Sequence, residues 1–89
     1  MIRRDVTIIN RLGLHARAAA KLVATASRFG ASVRIEREGR GADAKSIMAV
    51  MMLAATRGTP VTLVADGADE AQALDALASL VAERFGEDE

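Results

Sequence analysis

Residues 13–19 read Gly13-Leu14-His15-Ala16-Arg17-Ala18-Ala19, and the chain changes character within them. Before them, Ile2-Arg3-Arg4-Asp5-Val6-Thr7-Ile8-Ile9 mixes β-branched with polar residues, and Val6 and Ile8 share a face, as in a strand over 2–9. After them, Ala19, Leu22, Val23, Ala26 and Phe29 recur at helical spacing, with Arg17, Ala20, Lys21, Ala24 and Arg28 on the opposite face. This predicts a helix over 16–28, ended by Gly30. Gly13 permits an unusual backbone just before it. His15, the one histidine of the chain, thus falls at a helix N-terminus, where free N–H groups and the dipole favour an anion.

Working outward, Ser32-Val33-Arg34-Ile35-Glu36-Arg37 alternates as a half-buried strand does, and Gly39 and Gly41 frame a turn into a short strand near 40–43. Residues 47–54 read as a short helix with Ser46 as N-cap. Pro60-Val61-Thr62-Leu63-Val64-Ala65 reads as a strand, with proline at its start where a missing N–H is tolerated. Asp69 and Gln72 resemble a capping box, ahead of a helical repeat of Leu74, Leu77, Ala78, Val81 and Phe85. Residues 86–89, Gly-Glu-Asp-Glu, read as a polar, frayed segment. The order β-α-β-β-α-β-α suggests a single sheet with helices over one face.

Composition narrows the function. At 89 residues, one small domain is the default. Twelve basic and twelve acidic side chains cancel, which argues against a dedicated nucleic-acid or membrane-surface protein. Two phenylalanines, with no tyrosine or tryptophan, leave no aromatic platform for bases. No apolar run is long enough to span a membrane, and no signal-peptide core opens the sequence. The absence of cysteine excludes disulfides and suits a reducing cytoplasm. With one histidine, no metal site is expected.

A lone histidine is ordinarily a surface or capping residue. Here the context favours chemistry. A neutral imidazole is a nucleophile. A helix N-terminus disfavours imidazolium and favours a phosphoryl anion. Arg17 can give planar, charge-assisted bonds to phosphate oxygens, although arginine is more often simply solvated. Gly39-Arg40-Gly41-Ala42-Asp43-Ala44-Lys45-Ser46 imitates a P-loop, but Ala44 stands where the last glycine is required, and nucleotide binding is rejected. The second helix is apolar all round: Val50, Leu53 and Ala54 group on one side, with Ile47, Met48, Met51 and Met52 roughly opposite. A small domain cannot easily bury both sides, so Ile47, Met48 and Met51 are expected to be exposed as a docking patch beside His15; core packing is the bland alternative. Arg17, Ala20, Lys21 and Ala24 would extend it with a basic, small-residue face suited to acidic partners.

Gly13-Leu14-His15-Ala16-Arg17 resembles the active-centre signature of the HPr family, the histidine-containing phosphocarriers of the bacterial phosphoenolpyruvate-dependent phosphotransferase system. Ala44-Lys45-Ser46-Ile47-Met48 is similar to the family's regulatory serine region. The resemblance covers nearly the whole chain, read as one domain over 1–89. It implies an α+β open-faced β-sandwich, in which three helices cover one face of a four-stranded antiparallel sheet. It also implies that phosphorylated enzyme I passes its phosphoryl group to His15 at Nδ1, that Arg17 assists, and that enzyme IIA components receive the group. Such a carrier has no cofactor and turns over no small molecule alone, so calling it an enzyme is partly naming. Partners would bind over Ala16, Ala20, Lys21, Ala24, Ile47, Met48 and Met51. A serine kinase or phosphorylase would act on Ser46, which keeps its capping role in any case. The chain is expected to be a cytoplasmic monomer.

One position departs from the family pattern: Ala18 stands where many members carry proline. Alanine is the best helix former, so the site is expected to survive with a less rigid first turn. The sugar-transport and nitrogen-related regulatory branches share the motif. Alternatives of other classes are a non-transferring regulatory module switched at Ser46 and a small ligand- or RNA-binding αβ domain. Retention of both His15 and Arg17 speaks against the first of these, and zero net charge and few aromatics weaken the RNA version of the second.

Overall fold

Alternation along the strands decides which face of the sheet is dry. The computed structural model describes residues 1–89. Its elements are β1 (Ile2–Thr7), α1 (Ala16–Ala26), β2 (Ser32–Arg37), β3 (Arg40–Asp43), α2 (Ile47–Met52), β4 (Pro60–Asp66) and α3 (Glu70–Ala82), then a 3-10 turn at Arg84–Gly86. The strands form one antiparallel sheet in the order β1-β4-β2-β3. Val6 lies opposite Val61, Ile35 opposite Leu63 and Val33 opposite Ala65, which gathers their side chains on one face. The helices cover that face, and Leu22, Val50, Leu74, Leu77 and Phe85 complete a single buried core. The other face stays open and polar. There Arg3 Nη2 meets Glu36 Oε1 at 2.7 Å, and the Thr62 hydroxyl donates to Asp5 Oδ1 at 2.7 Å.

The element order and fold class agree with the sequence. Several ends differ, each for a local reason. β1 stops at Thr7, because the chain then bends so that Ile8 enters the core while Ile9 points outward. α1 stops at Ala26 with Ser27 as its cap. Gly30 does not end it: its N–H donates to Asp69 Oδ2 at 3.0 Å, beside Ala31 N–H to Oδ1 at 2.9 Å. Asp69 is thereby occupied and makes no capping bond to α3, so the expected capping box is absent. Val23 and Phe29 of the expected α1 stripe are only partly buried.

α2 ends at Met52, and Ala54 is exposed with φ 53°, so it does not pack with Val50 and Leu53. Arginines from the neighbouring hairpin hold this short helix. Arg37 Nη1 donates to the carbonyls of Leu53 at 2.7 Å and Ala54 at 3.2 Å, and Arg40 Nη2 to that of Met52 at 3.1 Å. Donors carrying positive charge at a helix C-terminus satisfy orphan carbonyls and complement the dipole.

The largest departure follows α3. Phe85 does not continue the helix. Arg84, Phe85 and Gly86 all take positive φ, at 56°, 55° and 76°. This left-handed turn drops the Phe85 ring fully into the core. It also sends residues 87–89 back toward the start of α1. They are pinned there rather than frayed: Arg11 N–H donates to Glu89 O at 2.7 Å, and Arg11 Nη1 to Glu89 Oε2 at 2.9 Å.

Candidate functional site

The site begins with two residues that have no reactive chemistry. Gly13 has φ +65°, and a Cβ built there would lie 2.5 Å from Ala55 O and 2.9 Å from Thr56 Cα. Only glycine lets the loop press this closely on the segment after α2. The contact is sealed by Leu14 N–H donating to Ala55 O at 2.9 Å. Asn10, fully buried, donates through Nδ2 to Gly13 O at 2.8 Å. The loop is therefore fixed from both sides before it delivers His15.

His15 is the N-cap of α1. Its Nδ1 accepts the Arg17 backbone N–H at 3.3 Å, so this nitrogen faces the helix end with a lone pair. Nε2 faces the other way and meets Glu87 Oε2 at 2.5 Å. Glu87 Oε1 accepts the same Asn10 amide at 3.1 Å. Partial burial pushes the Glu87 carboxyl up, but the hydrogen bonds from His15 and Asn10, with the charges of His15 and Lys21, outweigh it and hold the group below its usual value. His15 and Glu87 line an open cleft with Arg11, Leu12, Ala16, Arg17, Asp88 and Glu89. The Arg17 side chain is exposed on the rim. The arrangement joins a nucleophilic ring nitrogen, a helix N-terminus and a guanidinium beside open solvent.

Residues 2–83 match the model of a protein family described as the PTS HPr component phosphorylation site. The chain belongs to the HPr family. It is 61% identical to the phosphocarrier protein HPr of Cupriavidus necator over the full length of both chains. It is 54% identical to the phosphocarrier protein HPr of Pseudomonas aeruginosa over 96% of each. A crystal structure of HPr-C-His from Thermoanaerobacter tengcongensis superposes with a TM-score of 0.96, at 42% identity, covering both chains entirely. The chain is accordingly an HPr-type phosphocarrier of the phosphotransferase system.

The remaining residues singled out in this HPr chain divide into groups. Ile47, Met48 and Met51 are 42%, 74% and 40% exposed, whereas Val50 of the same helix is fully buried. α1 packs directly on α2, so this surface continues onto the exposed face of α1. Ala16, Ala20, Lys21 and Ala24 are exposed there, though the Lys21 ammonium is already bonded to Phe85 O at 2.6 Å. Ser46 caps α2, with Oγ accepting Ala49 N–H at 3.3 Å. Ala18 is fully buried against the core rather than poised at the rim.

Sequence reasoning missed Asn10, Leu12 and Glu87. Leu12 is 65% exposed beside the cleft, an apolar side chain in a loop with no periodicity to mark it. Asn10 and Glu87 lie far apart in sequence and meet only through the left-handed turn at 84–86, which no local pattern announces. No helix is long and apolar enough to cross a membrane.

Proposed function

We propose that His15 is the phosphoryl acceptor of this phosphocarrier. The observation that carries this is the orientation of its ring, with Nδ1 turned to the α1 N-terminus, where the helix dipole favours an anion and the Arg17 N–H, now donated to Nδ1, is positioned to pass to a phosphoryl oxygen. The Nδ1 lone pair gives up its hydrogen bond from the Arg17 N–H and attacks the phosphorus held on enzyme I. The Nδ1–P bond forms as the donor's N–P bond breaks, and the electron pair returns to the donor. The reverse attack, by a nucleophile on an enzyme IIA component, empties the carrier. Little covalent assistance is needed beyond in-line positioning and charge stabilisation. The Arg17 guanidinium supplies that charge from the rim.

Partners dock over Ile47, Met48 and Met51 and the small-residue face of α1 at Ala16, Ala20 and Ala24, with Lys21 at its edge. Methionines adapt to differently shaped partners, which suits a carrier that must meet a donor and several acceptors. Ser46 stands beside this patch. A phosphate on it would sit at the start of α2, adding about −1.5 to −2 charge next to the docking surface without unfolding the domain. A serine kinase acting there would regulate docking. The chain works as a cytoplasmic monomer with a single domain over 1–89.

The decisive experiment incubates the protein with enzyme I and labelled phosphoenolpyruvate. One acid-labile, base-stable phosphoryl group is expected, absent from His15→Ala. Stable labelling of that variant, or no labelling of the wild type by a competent enzyme I, overturns the assignment.

A further inference from the structure

The cleft contains a group that the transfer described above does not use. Glu87 is held on both oxygens: Oε1 by the buried Asn10 amide at 3.1 Å, and Oε2 against His15 Nε2 at 2.5 Å. Asn10 is itself locked to Gly13 O at 2.8 Å, in the loop that sets the His15 backbone. The carboxylate is brought there by three consecutive left-handed residues, two of them not glycine. A non-glycine residue is strained in that region and persists there only when its surroundings enforce it. Burial of Phe85 and the Lys21 bond to Phe85 O enforce this turn.

We infer that Glu87 is the positioning residue of the phosphoryl site, holding the imidazole proton on Nε2 so that the lone pair stays on Nδ1, and acting as counter-ion to the ring once Nδ1 carries phosphorus. The inference rests on His15 being the acceptor. Its logic is that of a carboxylate behind a catalytic histidine, which sets the tautomer and ring orientation and stabilises the cation that forms, without taking the proton itself. An ionised carboxylate can only accept, so Nε2 must be the protonated nitrogen. The Arg17 N–H on Nδ1 demands the same tautomer from the other side.

The transfer balances with no proton moved. Neutral His15 attacks through Nδ1, the Nδ1–P bond forms and the donor's N–P bond breaks. The ring keeps its Nε2 proton and becomes a phosphoimidazolium facing Glu87. Breakage of Nδ1–P in the next transfer returns the electron pair to Nδ1 and restores the neutral ring. Glu87 favours the charged intermediate in both directions. The other charged groups around the cleft do not duplicate this role. Arg11 is paired with Glu89, Arg17 lies on the rim, Lys21 is bonded to Phe85 O, and the ring's two side-chain hydrogen bonds go to Glu87 and the Arg17 N–H rather than to Asp88.

The test compares wild type, Glu87→Ala and Glu87→Asp, with Asp75→Asn as a charge control on the exposed side of α3. Nitrogen-15 NMR of the unphosphorylated protein reads the tautomer and the solvent exchange of the Nε2 proton. Enzyme I-dependent labelling reads kcat and KM separately. The wild type is expected to show a single Nε2–H tautomer with a slowly exchanging proton. Glu87→Ala should show rapid exchange and a kcat lowered about tenfold or more at unchanged KM. Glu87→Asp should recover part of both, and Asp75→Asn should match wild type. An Nε2 proton that exchanges equally fast in wild type and Glu87→Ala overturns the inference. So does a change confined to KM, which would make the segment a partner contact. Failure of the wild type to label would instead remove the phosphoacceptor reading and leave the NMR result standing.

Discussion

Gly13→Ala tests whether the loop before His15 is built on contact or only on backbone freedom. Gly13 and Gly39 both have positive φ, at +65° and +79°, so alanine at either pays a similar backbone cost of about 1–2 kcal/mol. Only Gly13 has neighbours. Its added methyl would sit 2.5 Å from Ala55 O and 2.9 Å from Thr56 Cα, both backbone atoms, whereas nothing lies within 4 Å at Gly39. Relief at Gly13 requires the loop to withdraw, and withdrawal breaks the 2.9 Å bond from Leu14 N–H to Ala55 O. Losing that bond costs roughly another 1 kcal/mol, and leaving its groups half-buried adds a comparable amount. The expected losses are therefore about 1–2 kcal/mol for Gly39→Ala and about 3–4 kcal/mol for Gly13→Ala. For a domain of this size each kcal/mol lowers Tm by roughly 4–8 °C. Urea and thermal unfolding of both variants measure the difference. Phosphoryl acceptance, tested under conditions where each is folded, should fall only in Gly13→Ala, because only that loop carries His15. Equal destabilisation by the two substitutions would refute the contact argument.

Three further outcomes are expected. Arg17→Ala should slow phosphoryl transfer while leaving Tm within about 2 °C, since its side chain is exposed; unchanged transfer kinetics would remove Arg17 from the site. Met48→Asp, at a position 74% exposed, should change stability by no more than about 0.5 kcal/mol yet weaken binding to enzyme I, measured by calorimetry; a large loss of stability would make Met48 core. The backbone N–H groups of Gly30 and Ala31 hold the Asp69 carboxyl below its ordinary value, outweighing the opposing effect of burial. A depressed folded-state value means that the carboxylate stabilises the fold fully above the unfolded value of about 4 and loses that contribution as pH falls from there through the lowered folded-state value. Asp69→Asn should lower stability at pH 7 and flatten the acid limb of the stability curve, read from urea melts between pH 2 and 7; parallel limbs would show that Asp69 contributes nothing there.

How much of this was legible in the sequence follows from the range of each interaction. Strands and helices are periodic, so Val33 and Ile35, or Leu74 and Leu77, announce their faces within a few residues of themselves. The same is true of Ser46, whose capping bond spans three residues, and of His15, from which Gly13 and Arg17 are each two positions away. Side chains that bond across long separations leave no such local mark. Asp69 looked like a local cap because Gln72 stood at the right spacing, yet its carboxylate reaches Gly30 and Ala31, whose loop has unpaired N–H groups that no sequence window around Asp69 contains. Two backbone donors outcompete a local cap because a carboxylate accepts both at once.

Residues 86–89 carry the same lesson into the site. Their composition is that of a frayed segment, and composition is a sound guide when nothing anchors a chain. The anchors here lie elsewhere in the sequence: Phe85 is held by the core, Glu87 by Asn10 and His15, and Glu89 by Arg11. Each anchor alone is a weak constraint, and exposed pairs such as Arg11–Glu89 contribute at most about 1 kcal/mol. Together they close a loop that begins at Asn10 and passes through Gly13, His15 and Glu87 before returning to Asn10. The loop couples the order of the segment to the geometry of the histidine. The side chain of His15 is therefore held by a residue more than seventy positions away, through a turn that no local pattern announces until the chain is folded.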